Sequence, residues 1–425
     1  MFDWRKNVTP QFLCIDLKSF FASVECVERG MDPMKTNLVV ADPDRGDGTI
    51  CLAVSPSMKA LGVKNRCRVY EIPRGIPYIK ATPQMQKYVD YSVEINRIYR
   101  SFLADGDVSP YSIDESFLEV TRYLNYYKKS AKEIGIMIMN EITRRLGLRA
   151  ACGIGTNLYL TKIALDITAK HAPDFIGELD EERYRRDLWD HRPLTDFWQI
   201  GEQTALKLEK YGLCTMGAIA AAPRDFLHRL FGVLADDMIN HAWGLEPLTL
   251  KNVKEYVPKS KSLSSGQILP RDYTYDEALV VLREMADNLS FDLAEKGFTT
   301  DSLTVDVGYS AHVDLPPEHG TASLPHPTSS DLHIIPAVVS VYVSRVKHNY
   351  PIRRLNICCN RVRNDEYRQF SLFEDPLDSE EHRRLRLALL GVRRRYGKNA
   401  VLRGADYLPA ATARERNAQI GGHKR

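Results

Sequence analysis

The chain has little that would make it a metal-knotted, secreted or membrane protein. Its eight cysteines (14, 26, 51, 67, 152, 214, 358 and 359) form no C-x-x-C pair and have no H-x-x-x-H companion, so zinc-finger and thioredoxin chemistry are excluded and the thiols read as reduced. No apolar run approaches the ~18 residues of a membrane span, and the opening MFDWRKNVTPQ lacks the apolar core of a signal peptide; a cytosolic protein is expected. There is no internal repeat. Gly153-x-Gly155 has neither the G-x-x-x-x-G-K-[ST] frame of a P-loop nor the third glycine of a dinucleotide fingerprint.

What is present is a chain of 425 residues, 44% hydrophobic and 27% charged, which suits about three folded domains. The charge nearly cancels, 58 − 55 = +3, but unevenly. From Val341 to Arg425 there are 19 Lys+Arg and 9 Asp+Glu, or +10, leaving −7 for residues 1 to 340. A polyanion-facing C-terminal part beside a carboxylate-bearing N-terminal part is one reading; a solvated basic helix is the other.

Phe12 to Leu17 is a buried strand running into a helix over Ser19 to Glu25, with Asp16 at the strand end. Asn37–Ala41 and Ile50–Val54 read as strands around a turn-rich segment, followed by a helix capped by Ser55 or Ser57. A helix is expected over Pro83 to Leu103, two short strands between Val108 and Val120, a long helix from Ser130 to Gly147 and a strand over Arg149 to Ile154, a mixed α/β pattern ending near residue 175. From Asp187 to Gly244 the pattern is helical and short, with Gly201 interrupting a helix pair and Gly212 stopping the second member. A polar connector at Lys251–Lys259 leads to an α+β module with a helix over Asp276 to Lys296, strands at Leu303–Tyr309 and Leu355–Cys359, and a loop at Pro316–Ser330. A basic helix opened by Asp378, then a polar tail without periodicity, completes the chain.

Asp16 in Cys-Ile-Asp-Leu and Asp114-Glu115 in Tyr-Ser-Ile-Asp-Glu-Ser-Phe-Leu lie in apolar strand surroundings, where an unpaired charge costs several kcal/mol. Either the side chains escape at strand ends, with a cap or salt bridge, or a cation neutralises them; a pair of divalent ions does so well. Neighbouring residues in a strand point to opposite faces, so Asp114 and Glu115 converge only if the strand end twists.

The blocks Ile15-Asp-Leu-Lys-Ser-Phe-Phe-Ala-Ser-Val-Glu25 and Ser112-Ile-Asp-Glu-Ser-Phe-Leu118 resemble the two palm motifs of the Y-family translesion DNA polymerases, and later segments follow in order across nearly the whole chain. The resemblance implies a multidomain α+β right-hand polymerase: palm (1–20 and 80–175), fingers (21–79), helix-hairpin-helix thumb (176–247), linker (248–259), little finger (260–366), and a clamp-binding motif with a basic tail (367–425). It implies Asp16, Asp114 and Glu115 as metal-binding and catalytic carboxylates, the Leu17 carbonyl as a further ligand, and two Mg²⁺ ions for which Mn²⁺ could substitute. Phe20 and Phe21 would sit beside the nucleotide's sugar, with Phe21 the steric gate against a 2′-hydroxyl. Ser55 and Lys59 would bind nucleotide; Pro56 and Lys59 stand where the family commonly carries a tyrosine and an arginine, so a point charge replaces a guanidinium fork, as in the UmuC branch. By the same resemblance Lys170, one residue off the commoner spacing, would be the second triphosphate lysine.

Ile200-Gly201 would present backbone N–H groups to a DNA phosphate, and Lys259, Lys261, Ser262 and Ser264 would grip template phosphates without reading bases. Gln369-Phe-Ser-Leu-Phe373 resembles the bacterial sliding-clamp-binding peptide, with Gln369, Leu372 and Phe373 as anchors. The end of the chain, Tyr396–Ala405 and Ala413–His423, looks like the tail of UmuC-like polymerases of Gram-positive bacteria. The implied activity is error-prone, template-directed DNA synthesis during DNA damage tolerance and the SOS response, with primer-template DNA, dNTPs, the clamp and RecA as candidate partners, in the cytoplasm at the nucleoid. The rival readings are a palm-type nucleotidyl cyclase or nuclease, and a clamp-associated DNA scaffold without catalysis.

Overall fold

A computed structural model describes residues 9–258, 260–366 and 376–425, without the side chains of 376–379. It is a mixed α+β chain of two compact units, Met1–Tyr256 and Val257–Arg425. The strands of the first unit are β1 Phe12–Leu17, β2 Leu38–Val40, β3 Ala53–Val54, β4 Ile79–Ala81, β5 Val108–Pro110, β6 Glu115–Glu119, β7 Ala150–Gly155 and β8 Ile176–Leu179. Its helices are α1 Phe20–Val27, α2 Pro56–Ala60, α3 Met85–Phe102, α4 Tyr123–Tyr127, α5 Ala131–Leu146, α6 Leu158–Ile163, α7 Glu181–Leu188, α8 Glu202–Glu209, α9 Met216–Ala221, α10 Arg224–Phe231, α11 Leu234–Ala242 and α12 Leu250–Glu255.

The main sheet runs β5-β6-β1-β7-β8, with β1 antiparallel to both neighbours and β7 parallel to β8. β1 is central and covered on both faces, which is why its sequence is nearly all apolar. Leu13, Ile15 and Leu17 pack into the core with Ile95, Ile98 and Tyr99 of α3 and Ile134, Ile138 and Ile142 of α5. Each such side chain, fully buried, contributes roughly 2 kcal/mol. Phe12 and Cys14 face the other way, onto Phe117, Ala151, Leu158, Leu165 and Ala169. α5 is bounded as its sequence demands, by a Ser130/Glu133 capping box and by Gly147 in the left-handed region.

β2, β3 and β4 form a small separate sheet in the order β3-β2-β4, with Met58 of α2 in its core. Between Leu179 and Gly244 the chain is helical. The expected pair around Gly201 takes a different form: its first arm is only a 3₁₀ turn at Leu194–Asp196, and Gly201 is the N-cap of α8. Part of the expected linker folds too, since Thr249 and Asn252 make a capping box that starts α12.

The second unit is an antiparallel sheet, β11 Glu318–Thr328, β10 Phe298–Tyr309, β12 Ile352–Asn364 and β9 Lys261–Tyr273 in that spatial order, with helices α13 Tyr275–Lys296 and α14 Asp331–Arg345. Leu303, Val305 and Val307 alternate toward those helices, as do Leu355, Ile357 and Cys359. The opposite face is polar. β11 corrects the loop expected at 316–330: an edge strand tolerates Pro325 and Pro327, and a register shift opposite Thr300 and Ser302 absorbs them.

The expected basic helix is present, and the tail after it is likewise folded, against the expectation of aperiodic polar chain. α15 Pro376–Tyr396 leads to 3₁₀ turns at Lys398–Ala400 and Gly404–Tyr407, helix α16 Ala413–Asn417 and a two-stranded hairpin, β13 Gln419–Ile420 and β14 His423–Lys424. Gly421 and Gly422, at φ 59° and 81°, supply the turn. Polar pairing, which leaves no apolar period to read, holds this tail to one stripe of α13. Thr412 N–H and Ala413 N–H donate to Glu284 at 2.9 and 3.0 Å, Arg386 and Arg403 reach Asp287 at 2.9 and 2.8 Å, and Arg393 donates to Asn288 at 2.8 Å.

Candidate active site

Asp16 is the Cα partner of Glu115 in the β1–β6 ladder, so their side chains leave the same face of the sheet. Directly paired residues lie within about 4.5–5.5 Å at the backbone. Asp114 stands just before β6, its carboxylate accepting from Ser112 Oγ at 2.8 Å and its carbonyl from the Leu17 N–H at 3.1 Å. The strand ends therefore bring all three acidic residues and the Leu17 peptide to one edge of the sheet.

A helical run over residues 158–171 covers that face. Gly153 and Gly155 of β7 and Gly177 of β8 let it come close: a Cβ on Gly153 would stand 2.3 Å from the Thr161 carbonyl oxygen, and one on Gly177 would stand 2.4 Å from that of Ala164. The two glycines of β7 thus serve backbone-to-backbone packing, not phosphate binding. The run carries Lys162, Asp166 and Lys170 toward the carboxylates. Lys162 Nζ is 2.6 Å from Glu115 Oε1 and 3.1 Å from Asp166; Lys170 Nζ is 3.1 Å from Asp16 and 2.8 Å from Asp166. α6 passes into a π-turn at Ala164–Thr168, which takes up one extra residue. The one-residue offset of Lys170 is absorbed there, and its ammonium still reaches Asp16.

Electrostatics follow from this packing. Burial pushes the Asp16 carboxyl up to about 6; Lys170 opposes the shift, and the like charges of Asp114 and Glu115 add to it. Burial disfavours the charge on Lys170, but its pairs with Asp16 and Asp166 outweigh that and hold its pKa above the usual lysine value. Lys162 is raised in the same way, burial being overcome by Glu115 and Asp166. Cys14 donates its thiol to Glu115 Oε1 at 3.1 Å, and burial holds the thiol well above its ordinary pKa.

Among the described residues no three His, Cys, Asp or Glu side chains close into a ready cage. The donor set nevertheless fits a hard divalent ion. Mg²⁺ characteristically takes one or two carboxylates and completes its shell with water and substrate phosphates. A carboxyl raised by burial and by neighbouring like charges is one that an added cation stabilises in its charged form.

Other expected positions divide. Phe21 is partly exposed and stacks on Tyr88, with centroids 4.3 Å apart and planes 14° apart, while Tyr88 is held by its hydroxyl on Glu25 at 2.8 Å. Phe20 is 3% exposed, its ring packed within the core. Ser55 is fully buried, and its hydroxyl accepts from Leu38 N–H at 3.2 Å and Met58 N–H at 3.3 Å, making it the cap of α2. Lys59, in the last turn of α2, is exposed and within the field of Asp16, Asp114 and Lys170. Ile200 is buried and its N–H donates to the Phe197 carbonyl at 3.1 Å, leaving Gly201 as the exposed residue at the start of α8. Lys261, Ser262 and Ser264 are exposed on β9; Lys259, Gln369, Leu372 and Phe373 lie outside the described residues.

Sequence reasoning gave no role to Lys162, Asp166 or Cys14. Their signal was there: Lys162, Asp166 and Lys170 recur every four residues in a segment whose other positions, from Leu160 to Leu165, are apolar or small.

Residues 15–166 match the impB/mucB/samB family, and residues 260–372 match the C-terminal domain of the same family. UvrX of Bacillus subtilis (strain 168), named for UV-damage repair, is 31% identical over 427 residues, covering all of both chains. DNA polymerase IV 2 of the same organism is 30% identical over 415 residues, covering 96% of this chain and 97% of that one. The Y-family DNA polymerase chimera Dbh-Dpo4(243-245)-Dbh shares the fold, with a TM-score of 0.64 at 19% identity, over 83% of this chain and 99% of its own. With the carboxylate pair, its lysine cover and these relatives together, the chain belongs to the impB/mucB/samB family, the Y-family DNA polymerases of UmuC-like type.

Proposed function

We propose that this site performs template-directed nucleotidyl transfer in translesion DNA synthesis, extending a primer 3′-hydroxyl with deoxynucleoside triphosphates, and that Asp16, Asp114 and Glu115 are its metal-binding carboxylates. The observation that carries the reading is the cross-strand pairing of Asp16 with Glu115 under a bank of lysines, in a chain of this family. Two Mg²⁺ ions, or Mn²⁺ in their place, would lower the pKa of the primer hydroxyl and neutralise the triphosphate. Asp16 and Asp114 would hold both ions, with Glu115 and the Leu17 carbonyl completing the set. Lys162, buried, fixes the Glu115 side chain. Lys59 and Lys170 offer ammonium groups to the phosphate chain, whose negative charge grows on the departing pyrophosphate as the primer oxygen attacks.

The braced ring of Phe21 is the gate against a ribose 2′-hydroxyl. Gly201 at the start of α8 offers an amide to a DNA phosphate. In the second unit, the open face of the sheet aligns Ser264, Cys358, Thr304 and Thr321 across four strands, and Asn360 donates to Thr304 at 2.9 Å. Such a hydroxyl-rich face beside Lys261 and Ser262 suits backbone contact without base reading. Gln369–Phe373 would dock on the sliding clamp, with RecA a further candidate partner and the nucleoid of a DNA-damaged cell the place of action. No described helix is long and apolar enough to cross a membrane.

The test is incorporation of a labelled deoxynucleotide opposite a primed template. A polymerase lengthens the primer by the complementary base; a cyclase, nuclease or scaffold leaves its 3′ end unextended.

A further inference from the structure

Lys18 has no part in the reading above, yet the fold goes to some length to seat it. It follows Leu17 at the end of β1; its N–H donates to the Arg149 carbonyl at 2.9 Å and its carbonyl accepts from Ser23 Oγ at 2.6 Å. The chain then turns through Ser19, which adopts the left-handed region at φ 50° and ψ 47°. The ammonium of Lys18 rests 3.5 Å from the centroid of the Phe175 ring. Phe175 is itself left-handed, at φ 58°. Non-glycine residues adopt that conformation only where the surroundings impose it, and such positions gather at functional sites. Here two of them, far apart in sequence, meet to place one cation on one aromatic face.

The charge around Lys18 is informative. Among the described residues no carboxylate forms an ion pair with it. Partial burial lowers its pKa; Asp16 counters this, and the like charges of Lys59 and Lys170 lower it further. The geometry gathers these lysines: Lys18 lies two residues beyond Asp16, which Lys170 pairs at 3.1 Å, and its supporting ring Phe175 packs with Phe12 and Cys14 on the face of β1 that Asp16 shares, while Lys59 approaches the same carboxylates from α2. A group of ammoniums gathered from three elements is stabilised by a multiply charged anion bridging them, and a phosphate chain has the required length and charge. The ring beneath Lys18 removes rotamer freedom before the anion arrives, which lowers the cost of binding.

We propose that Lys18 is a third phosphate-binding lysine of the nucleotide site, positioned by Phe175 and acting with Lys59 and Lys170 on the incoming nucleotide; this rests on the polymerase reading above. The contact is to phosphate, so it is blind to the base. The experiment uses the full chain with a dideoxy-terminated primer-template and titrates each complementary dNTP, reading binding from a fluorescent template base. Lys18→Met is expected to weaken binding of all four nucleotides by about tenfold, Lys18→Arg to restore it, and Phe175→Leu to weaken it by less, with primer-template affinity unchanged in each. Nucleotide binding unchanged in Lys18→Met and Phe175→Leu, or a loss confined to one base, overturns the inference while leaving the polymerase reading intact. A wild-type chain that neither binds dNTP nor extends a primer overturns the polymerase reading itself.

Discussion

Asp16 and Glu115 sit where an unanswered charge is expensive, and within the protein the answering groups are Lys170 at 3.1 Å and Lys162 at 2.6 Å. The acids were legible in the sequence because a carboxylate inside an apolar strand stands out; of their partners, Lys170 was reached only through the family resemblance, as a phosphate ligand, and Lys162 was missed, because a lysine on a helix looks like any solvated lysine. Only the fold shows that Lys162 is 6% exposed. At Phe21 the legible part was the ring and the hidden part its brace, since Tyr88 comes from α3, more than sixty residues away. That brace makes a sharp prediction. Phe21→Ala is expected to lower discrimination between dCTP and CTP by on the order of tenfold or more, measured as the ratio of kcat/KM values, with little change in dCTP use. Unaltered discrimination contradicts the gate assignment.

Elements carry a second layer that spacing alone hides. The glycines of β7 look like a fragment of a phosphate loop until the 158–171 run is seen lying on them at backbone distance. The π-turn at Ala164–Thr168 explains how a lysine one residue out of register still faces Asp16. In the second unit, α13 was readable from its apolar period and the glycine that stops it, whereas β11 was hidden by its prolines and the tail by the absence of an apolar period. Tail and α13 meet at Glu284, which is 5% exposed and whose Oε1 has no hydrogen-bond partner among the described residues. Burial raises its pKa to about 7, against the donors from Thr412 and Ala413. Because the folded-state value lies above the ordinary carboxyl value, the unfolded chain ionises first, and stability falls as pH rises from about 4.5 to 7. Glu284→Gln keeps an acceptor for the two N–H groups and removes the charge. Its thermal midpoint is expected to gain on wild type at pH 8, by on the order of 1 kcal/mol of stability, and to gain less at pH 5. An equal difference at both pH values contradicts this account of the latch.

At the scale of the molecule, the sequence divides its charge as the proposed function divides its labour. Three acidic residues of the first unit, Asp16, Asp114 and Glu115, gather at one end of a sheet, and the basic C-terminal part, counted from Val341, takes in the last turns of α14, strand β12 and the tail of the second unit. Part of that basic charge is spent within the protein: Arg386 and Arg403 pair with Asp287 and Asp331, Arg394 pairs with Glu295, and Arg393 donates to Asn288. Net charge along the sequence therefore overstated the share available to a polyanion, because pairing partners are fixed by the fold. Deleting Gln369–Phe373 is expected to reduce clamp-stimulated synthesis to near the basal rate while basal primer extension persists; equal loss of both contradicts a docking role for that segment.

The central claim is that the acidic edge of the first sheet does chemistry on a primer end. Asp114→Ala, tested in parallel for primer extension and for primer-template affinity, addresses it most directly. The account predicts extension reduced by at least about a thousandfold with DNA affinity retained. Extension at the wild-type rate in that variant contradicts it.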